Sequence, residues 1–174
     1  AGTYERSRAK VAYADRMMDG SKFDRDAWNV RFTQRNLTPW FSELELRYGE
    51  SEIDHVMDTY SLRTIRNPAG KQIKNANNPK RNTDTGRLKA TFDWDNLNLQ
   101  TGVDYMDDVH VARMERGGDG YSHKPFMPNQ SFKQWGVFTE AAWQQTDKQR
   151  WVAGLRHDRV KADYDSADVT DPAL

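Results

Sequence analysis

The segment RLKATFDWDNLNLQTGVDYM, residues 87–106, decides the fold, because hydrophobic and polar residues alternate along both of its halves. The hydrophobic positions are Leu88, Ala90, Phe92 and Trp94 in the first half and Leu97, Leu99, Val103 and Tyr105 in the second. Asp95 and Asn96 separate the halves, as expected for a tight turn between antiparallel strands. Because successive side chains of a strand point to opposite faces, each half predicts a strand with one apolar and one polar face.

The same alternation recurs along the rest of the chain and predicts seven strands in all. Around Arg47, for example, Leu44, Leu46 and Tyr48 alternate with charged residues. The seven predicted strands are Glu5–Asp15, Arg25–Arg35, a strand that begins at Phe41, Gly86–Asp95, Leu97–Met106, Gln134–Gln145 and Gln149–Lys161.

The connections between these strands alternate between short and long. The short turns are Asn36–Trp40, Asp95–Asn96 and Thr146–Lys148, and the long polar stretches are Met17–Arg25, Thr59–Thr85, Asp107–Phe132 and one that starts at Tyr164. Short turns at one end and long loops at the other are typical of a transmembrane antiparallel β-barrel of the outer-membrane type. A soluble β-sandwich also has alternating strands, but it has no reason to keep its long loops on one side.

The composition agrees with a barrel wall. The hydrophobic fraction is 36%, the charged fraction is 30% and the mean hydropathy is -1.00, which leaves little for a conventional core. Six Trp, seven Tyr and seven Phe are too many for a disordered chain. In a barrel only every second residue faces lipid, and tryptophans gather at the membrane boundaries. The tryptophans at predicted strand ends are Trp40, Trp94, Trp135, Trp143 and Trp151.

The same sequence argues against several classes of function. The 26 basic and 26 acidic residues give a formal net charge of zero, so no global field attracts nucleic acid. The chain has no cysteine and no GxSxG, HExxH or phosphate-loop motif. No apolar run is long enough for a membrane-spanning helix. We therefore expect neither an enzyme nor a nucleic-acid-binding protein.

One pair of residues points to metal chemistry. If the third strand continues beyond the membrane without a bulge, Leu46 and Tyr48 face lipid, and His55 and Met57 face the barrel interior. An imidazole beside a thioether is a soft ligand pair that favours copper, especially Cu(I), over magnesium, calcium or manganese. The alternative is an ordinary polar and apolar pair that lines a loop.

More histidine and methionine residues occur between residues 106 and 127, namely Met106, His110, Met114, His123 and Met127. They could offer transient soft ligands at the barrel entrance. The simpler interpretation, which we favour, is that the methionines fill gaps in the packing of a loop.

Two pairs of sequence stretches resemble known families. WGVFTEAAW (135–143) and WVAGLRHD (151–158) resemble paired strands of TonB-dependent outer-membrane receptors. YADRMMDGSKF (13–23) and DHVMDTYSLR (54–63) resemble, more narrowly, the TonB-dependent copper receptors of the OprC and NosA kind. The resemblance implies a barrel of roughly 22 strands, of which this chain supplies seven. Residues 1–174 would then be part of the barrel domain, with the plug domain and the other strands outside this chain.

The same resemblance implies a copper site. In that family a barrel-borne HxM joins a CxxxM of the plug to hold one copper ion, and only His55 and Met57 have counterparts here. We therefore expect a receptor in the bacterial outer membrane whose partners are copper ions, the TonB complex and membrane lipid. Two alternatives stay open: a siderophore or haem receptor of the same fold, and a structural or adhesive barrel that transports nothing.

Overall fold

The computed structural model describes residues 1–118 and 124–165, which form one antiparallel sheet of seven strands. Each strand pairs with the next along the chain, which confirms the predicted all-β antiparallel fold. The strands are β1 (Gly2–Val11), β2 (Asp19–Arg35), β3 (Phe41–Asp58), β4 (Asn75–Trp94), β5 (Leu97–Arg116), β6 (Lys124–Thr146) and β7 (Gln149–Tyr164). Among the described residues there is no helix with the length and hydrophobicity needed to cross a bilayer.

The three predicted short turns are confirmed. β2 and β3 are joined by residues 36–40, β4 and β5 by Asp95 and Asn96, and β6 and β7 by Asp147 and Lys148. Asn36 has a φ of 55°, in the left-handed region that asparagine tolerates better than most residues. Its amide donates a hydrogen bond of 2.9 Å to the carbonyl of Ser42, which closes the turn.

The predicted long loops are wrong in their boundaries, because the strands continue far into them. β4 begins at Asn75 and β5 runs to Arg116, so much of the stretches predicted as loops at 59–85 and 107–132 is strand. β2 likewise starts at Asp19, whereas β1 ends at Val11 instead of continuing to Asp15. Above the membrane both faces of a strand can be polar, so pairing continues where the alternation of hydrophobicity has disappeared.

The pairing register gathers the hydrophobic side chains on one face of the sheet. One row across neighbouring strands consists of directly opposed residues: Phe32, Leu46, Leu88, Val103 and Val137. These side chains are exposed, with Leu46 at 50% and Val103 at 45%. The buried hydrophobic residues of the described chain are few and mostly alanine: Ala27, Val56, Ala76, Ala112 and Ala142. A large exposed apolar face without a core beneath it suits a wall in lipid and not a soluble sandwich.

Aromatic residues border this apolar face on both sides. Beside the short turns, the rings of Trp40 and Trp94 stack on Phe92 at centroid distances of 6.0 and 6.1 Å. The belt on the other side, which we call the outer belt, consists of Tyr4, Trp28, Tyr48, Tyr105 and Trp135. Trp135 thus lies inside a strand, and not at its end, because β6 extends beyond the membrane. The two belts fit the predicted interfacial tryptophans.

The opposite face of the sheet carries charged side chains, as expected for a barrel lumen. Glu45, of which only 1% is exposed, forms ion pairs with Arg31 and Arg47. Asp104 bridges Arg87 and Arg156, with nitrogen to oxygen distances of 2.5 and 2.6 Å. We refer to this charged face as the inward face.

Candidate metal centre

β3 is the element that positions both predicted ligands. Its one register shift, against β4 between Phe41 and Glu43, precedes the membrane segment, and the pairing then runs without a bulge in β3 to Asp58. Odd-numbered residues therefore share one face throughout, from Glu45 and Arg47 to His55 and Met57. β3 therefore continues without a bulge, as the predicted inward orientation of His55 and Met57 requires.

The pair lies beyond the membrane boundary. His55 follows Tyr48 of the outer belt by seven residues along an uninterrupted strand. At about 3.3 Å per residue, this places His55 about 23 Å along the strand from the belt. The site is therefore on the lumenal wall of the extended outer rim, where the sheet continues above the lipid.

The imidazole of His55 is held in a partly buried position. It faces the ring of Phe23, its direct partner on β2, with a centroid distance of 4.0 Å and an interplanar angle of 31°. Its Nε2 atom is buried and has no hydrogen-bond partner among the described residues. Burial lowers the pKa of His55 below its usual value, against the opposing effect of the Asp54 carboxylate. The neutral imidazole, which is the form that binds metals, is thereby favoured.

The backbone at His55 is fixed from the other face of the sheet. The buried side chain of Asn78 donates hydrogen bonds to the His55 carbonyl at 2.9 Å and to the Asp54 carboxylate at 2.7 Å. Lys22 and Lys80 also contact this carboxylate, at 2.7 and 3.2 Å. This network ties β2, β3 and β4 together directly behind the imidazole.

Met57 lies between two small or polar partners. It is directly opposite Gly20 on β2 and Asn77 on β4. The Asn77 amide contacts the sulfur of Met18 at 3.8 Å, and Asn77 is also opposite Met114 on β5. Asn77 therefore contacts the sulfur of one methionine and is the strand partner of two others.

The other histidine and methionine residues of the predicted loop are mainly on strands. Met106, His110 and Met114 are on the inward face of β5. Met127 is on β6, where it pairs with Ala112 of β5. The prediction that these methionines pack a loop is wrong for this reason, because the residues belong to the paired wall. His123 is outside the described residues.

A buried ion pair connects the loops at the rim beside the site. Asp19, which is fully buried, accepts hydrogen bonds from Arg63 at 2.7 Å and from the amide of Tyr13 at 2.9 Å. Arg63 also donates to the carbonyl of Arg16 at 2.9 Å. The segment between β1 and β2 is thereby joined to the segment between β3 and β4, next to Gly20.

His55 and Met57 offer one nitrogen and one sulfur donor on the same face of a strand. Residues 1–118 and 124–165 contain no group of three or more histidine, cysteine, aspartate or glutamate side chains suited to a metal ion. Two donors seldom complete a copper site by themselves. The spacing of residues gave no signal for the contacts of Phe23 and Asn78 with His55. Phe23 was nevertheless within the stretch 13–23 that carried the resemblance.

Comparison with known proteins decides the family. The model of the TonB dependent receptor-like β-barrel matches residues 2–173. The chain belongs to the TonB-dependent receptor family. Among solved structures it is similar to the copper transporter OprC, with 30% identity and a TM-score of 0.82 over 98% of this chain. It spans 27% of the length of the OprC chain. A search of curated proteins gave no match.

Proposed function

We propose that this TonB-dependent receptor segment belongs to a transporter that takes up copper ions across the bacterial outer membrane. His55 and Met57 are the residues of this chain that bind the copper ion. The observation that carries the proposal is the pairing of an imidazole and a thioether on the inward face, with the buried Nε2 of His55 lacking a partner among the described residues.

The chemistry of the pair supports copper in particular. A thioether is a soft donor that contributes little to the binding of Mg²⁺, Ca²⁺ or Mn²⁺ and prefers Cu(I). An unpartnered buried nitrogen costs free energy unless a ligand satisfies it, and a metal ion does so without further hydrogen bonds. The likeness to a protein named as a copper transporter agrees with this choice of ion.

The rest of the receptor completes the site in this proposal. Residues 1–174 are part of the barrel domain, and a plug domain outside this chain supplies the missing donors, by analogy with the family pattern. Transport then depends on the TonB complex acting through regions that this chain does not contain, and membrane lipid covers the apolar face. The chain has no catalytic role.

The test uses the full-length receptor, loaded with copper, dialysed and examined by elemental analysis for copper per protein. The double variant His55→Ala with Met57→Ala should lose tight copper binding. Each single variant should weaken binding by at least the roughly 10–100-fold that follows disturbance of a metal site. Heat-modifiable migration in gels should be unchanged, because neither residue faces lipid.

The matched control is His110→Ala with Met106→Ala, a second inward-facing histidine and methionine on β5, which is separated from β3 by β4. This variant should keep the wild-type copper content. Wild-type stoichiometry in the His55 and Met57 variant would contradict the site. A wild-type receptor that retains no copper, yet supports the growth of cells on an iron chelate or haem as the iron source, would favour the siderophore or haem receptor. A barrel without any of these activities would support the structural alternative.

A further inference from the structure

Phe23 and His55 are the most closely packed ring pair among the described residues. Their centroids are 4.0 Å apart with an interplanar angle of 31°, and they are directly opposed on β2 and β3. Both point inward, and the ring of Phe23 covers one face of the imidazole, so the nitrogen atoms at the edge of the imidazole ring stay free of the contact. A ring packed at this distance restricts the rotation of the imidazole about its side-chain torsions and shields it from water.

A glycine provides the space for this arrangement. A Cβ atom built on Gly20 would come within 1.7 Å of Cε2 of Phe23, so any larger residue at this position would displace the ring. Gly20 is directly opposite Met57, and Phe23 is directly opposite His55. The same short segment of β2 therefore faces both proposed ligands.

A bulge brings the glycine and the phenylalanine to the same face. The register between β2 and β3 shifts between Gly20 and Lys22, so Ser21 is an extra residue in β2. The Ser21 hydroxyl donates to the carbonyl of Val56, at 3.4 Å, between the two proposed ligands. Without the bulge, residues 20 and 23 would point to opposite faces, because side chains alternate along a regular strand.

We propose that Phe23 is a positioning residue for copper binding, which holds the His55 imidazole in its metal-binding orientation through the space that Gly20 leaves free. This inference rests on the proposed function, since it assigns Phe23 a role at the same site. Phe23 does not bind the ion itself. Phe23 restricts the orientations of the imidazole before copper binds, so that less conformational entropy is lost on binding. Residues that surround a metal ligand commonly have this role.

The experiment measures copper affinity of the full-length receptor by competition with a chelator of known affinity. Phe23→Ala should weaken copper binding about 10–100-fold, the range typical for loss of a residue that supports a metal ligand. Phe23→Tyr keeps the ring and should bind copper as the wild type does. Gly20→Ala should behave like Phe23→Ala, because the added Cβ displaces the ring. Phe132→Ala, which removes an inward-facing ring of β6, should leave the affinity unchanged.

Two further readouts separate positioning from general loss of structure. Electron paramagnetic resonance of the Cu(II)-loaded receptor should show a broader distribution of nitrogen coupling in Phe23→Ala than in Phe23→Tyr. In a His55→Ala background, Phe23→Ala should change neither the residual affinity nor the spectrum. Unchanged affinity and spectrum in Phe23→Ala would overturn the inference, as would an equal loss of affinity in the presence and absence of His55. Normal copper binding by His55→Ala itself would instead overturn the proposed function.

Discussion

Asn78 donates a hydrogen bond of 2.9 Å to the backbone carbonyl of His55, from the face of the sheet opposite to the imidazole. The same amide group donates to Asp54 at 2.7 Å, and only 4% of Asn78 is exposed. A residue on the outward face therefore fixes the strand that carries a proposed ligand on the inward face. The support of the site comes from three strands, although both proposed ligands belong to one.

Loss of this contact should loosen β3 at His55. In the full-length receptor, Asn78→Ala leaves buried acceptors on Asp54 and His55 with fewer partners, at a cost of about 1–3 kcal/mol. Hydrogen exchange of the amides of residues 54–56 should be faster, and copper should be retained less well on dialysis. Asn82→Ala is the control, because Asn82 is exposed on the same face of the same strand. Equal exchange rates in the two variants would argue against the supporting role of Asn78.

The two faces of the membrane segment should respond differently to a new charge. Leu99→Arg places a guanidinium on the lipid-facing side and should destabilise the full-length barrel by about 1–4 kcal/mol, a cost that is largest at the bilayer midplane and falls towards the membrane boundaries. Gln100→Arg, its neighbour on the inward face, should cost little because the lumen contacts water and charged groups. Urea titration of the receptor in lipid vesicles measures both changes. Similar losses for the two variants would mean that the faces have been assigned in reverse.

Residues 1–174 expressed alone should not form a soluble monomer. β1 and β7 each have one edge without a partner strand in the described sheet, and the apolar face would meet water. Light scattering after size-exclusion chromatography in plain buffer should show aggregates, which detergent should disperse. A monomeric 20.2 kDa species with cooperative unfolding would contradict the assignment as a barrel segment.

The ion pair between Asp19 and Arg63 should hold the two rim segments together. Arg63→Gln removes the charged partner of a buried carboxylate and should make the segment at residues 59–74 a faster target for chymotrypsin. Arg66→Gln provides the control, because Arg66 donates to the carbonyl of Gly70 within the same segment and does not bridge the two. If both variants are cleaved at the wild-type rate, the ion pair does not restrain the rim.

The hydrogen bond from Arg63 also lowers the pKa of Asp19 below its usual value, which determines how the rim responds to pH. A carboxyl group with a lowered folded-state pKa contributes stability above its unfolded pKa of about 3.9, and loses it as the pH falls through the folded value. Protection of residues 59–74 from hydrogen exchange, corrected for the intrinsic rate, should therefore be equal at pH 7 and pH 5. A decline between these two values would indicate that another group controls the rim.

The membrane part of the fold was predictable from the sequence because lipid imposes a strict alternation. Leu88, Lys89 and Ala90 face lipid, lumen and lipid in turn, and every second connection between strands is a short turn such as Asp95–Asn96. Water imposes no such pattern. The sequence could not locate the extensions of β4 to Asn75 and of β5 to Arg116, because polar residues on both faces resemble a loop while the backbone remains paired.

The residues of the proposed site also divide into those that the sequence indicated and those that only the tertiary structure revealed. The spacing of His55 and Met57 determined that both share a face of any regular strand, and the family resemblance marked them as proposed copper ligands. Only the tertiary structure showed that β3 has no bulge between Tyr48 and His55 and that Phe23 and Gly20 face the pair. It also placed Asn78 behind His55. The spacing of two residues within one strand determines which face each side chain points to, because the period of a strand is two residues. Contacts between strands depend on register, which a single bulge at Ser21 alters for every residue that follows.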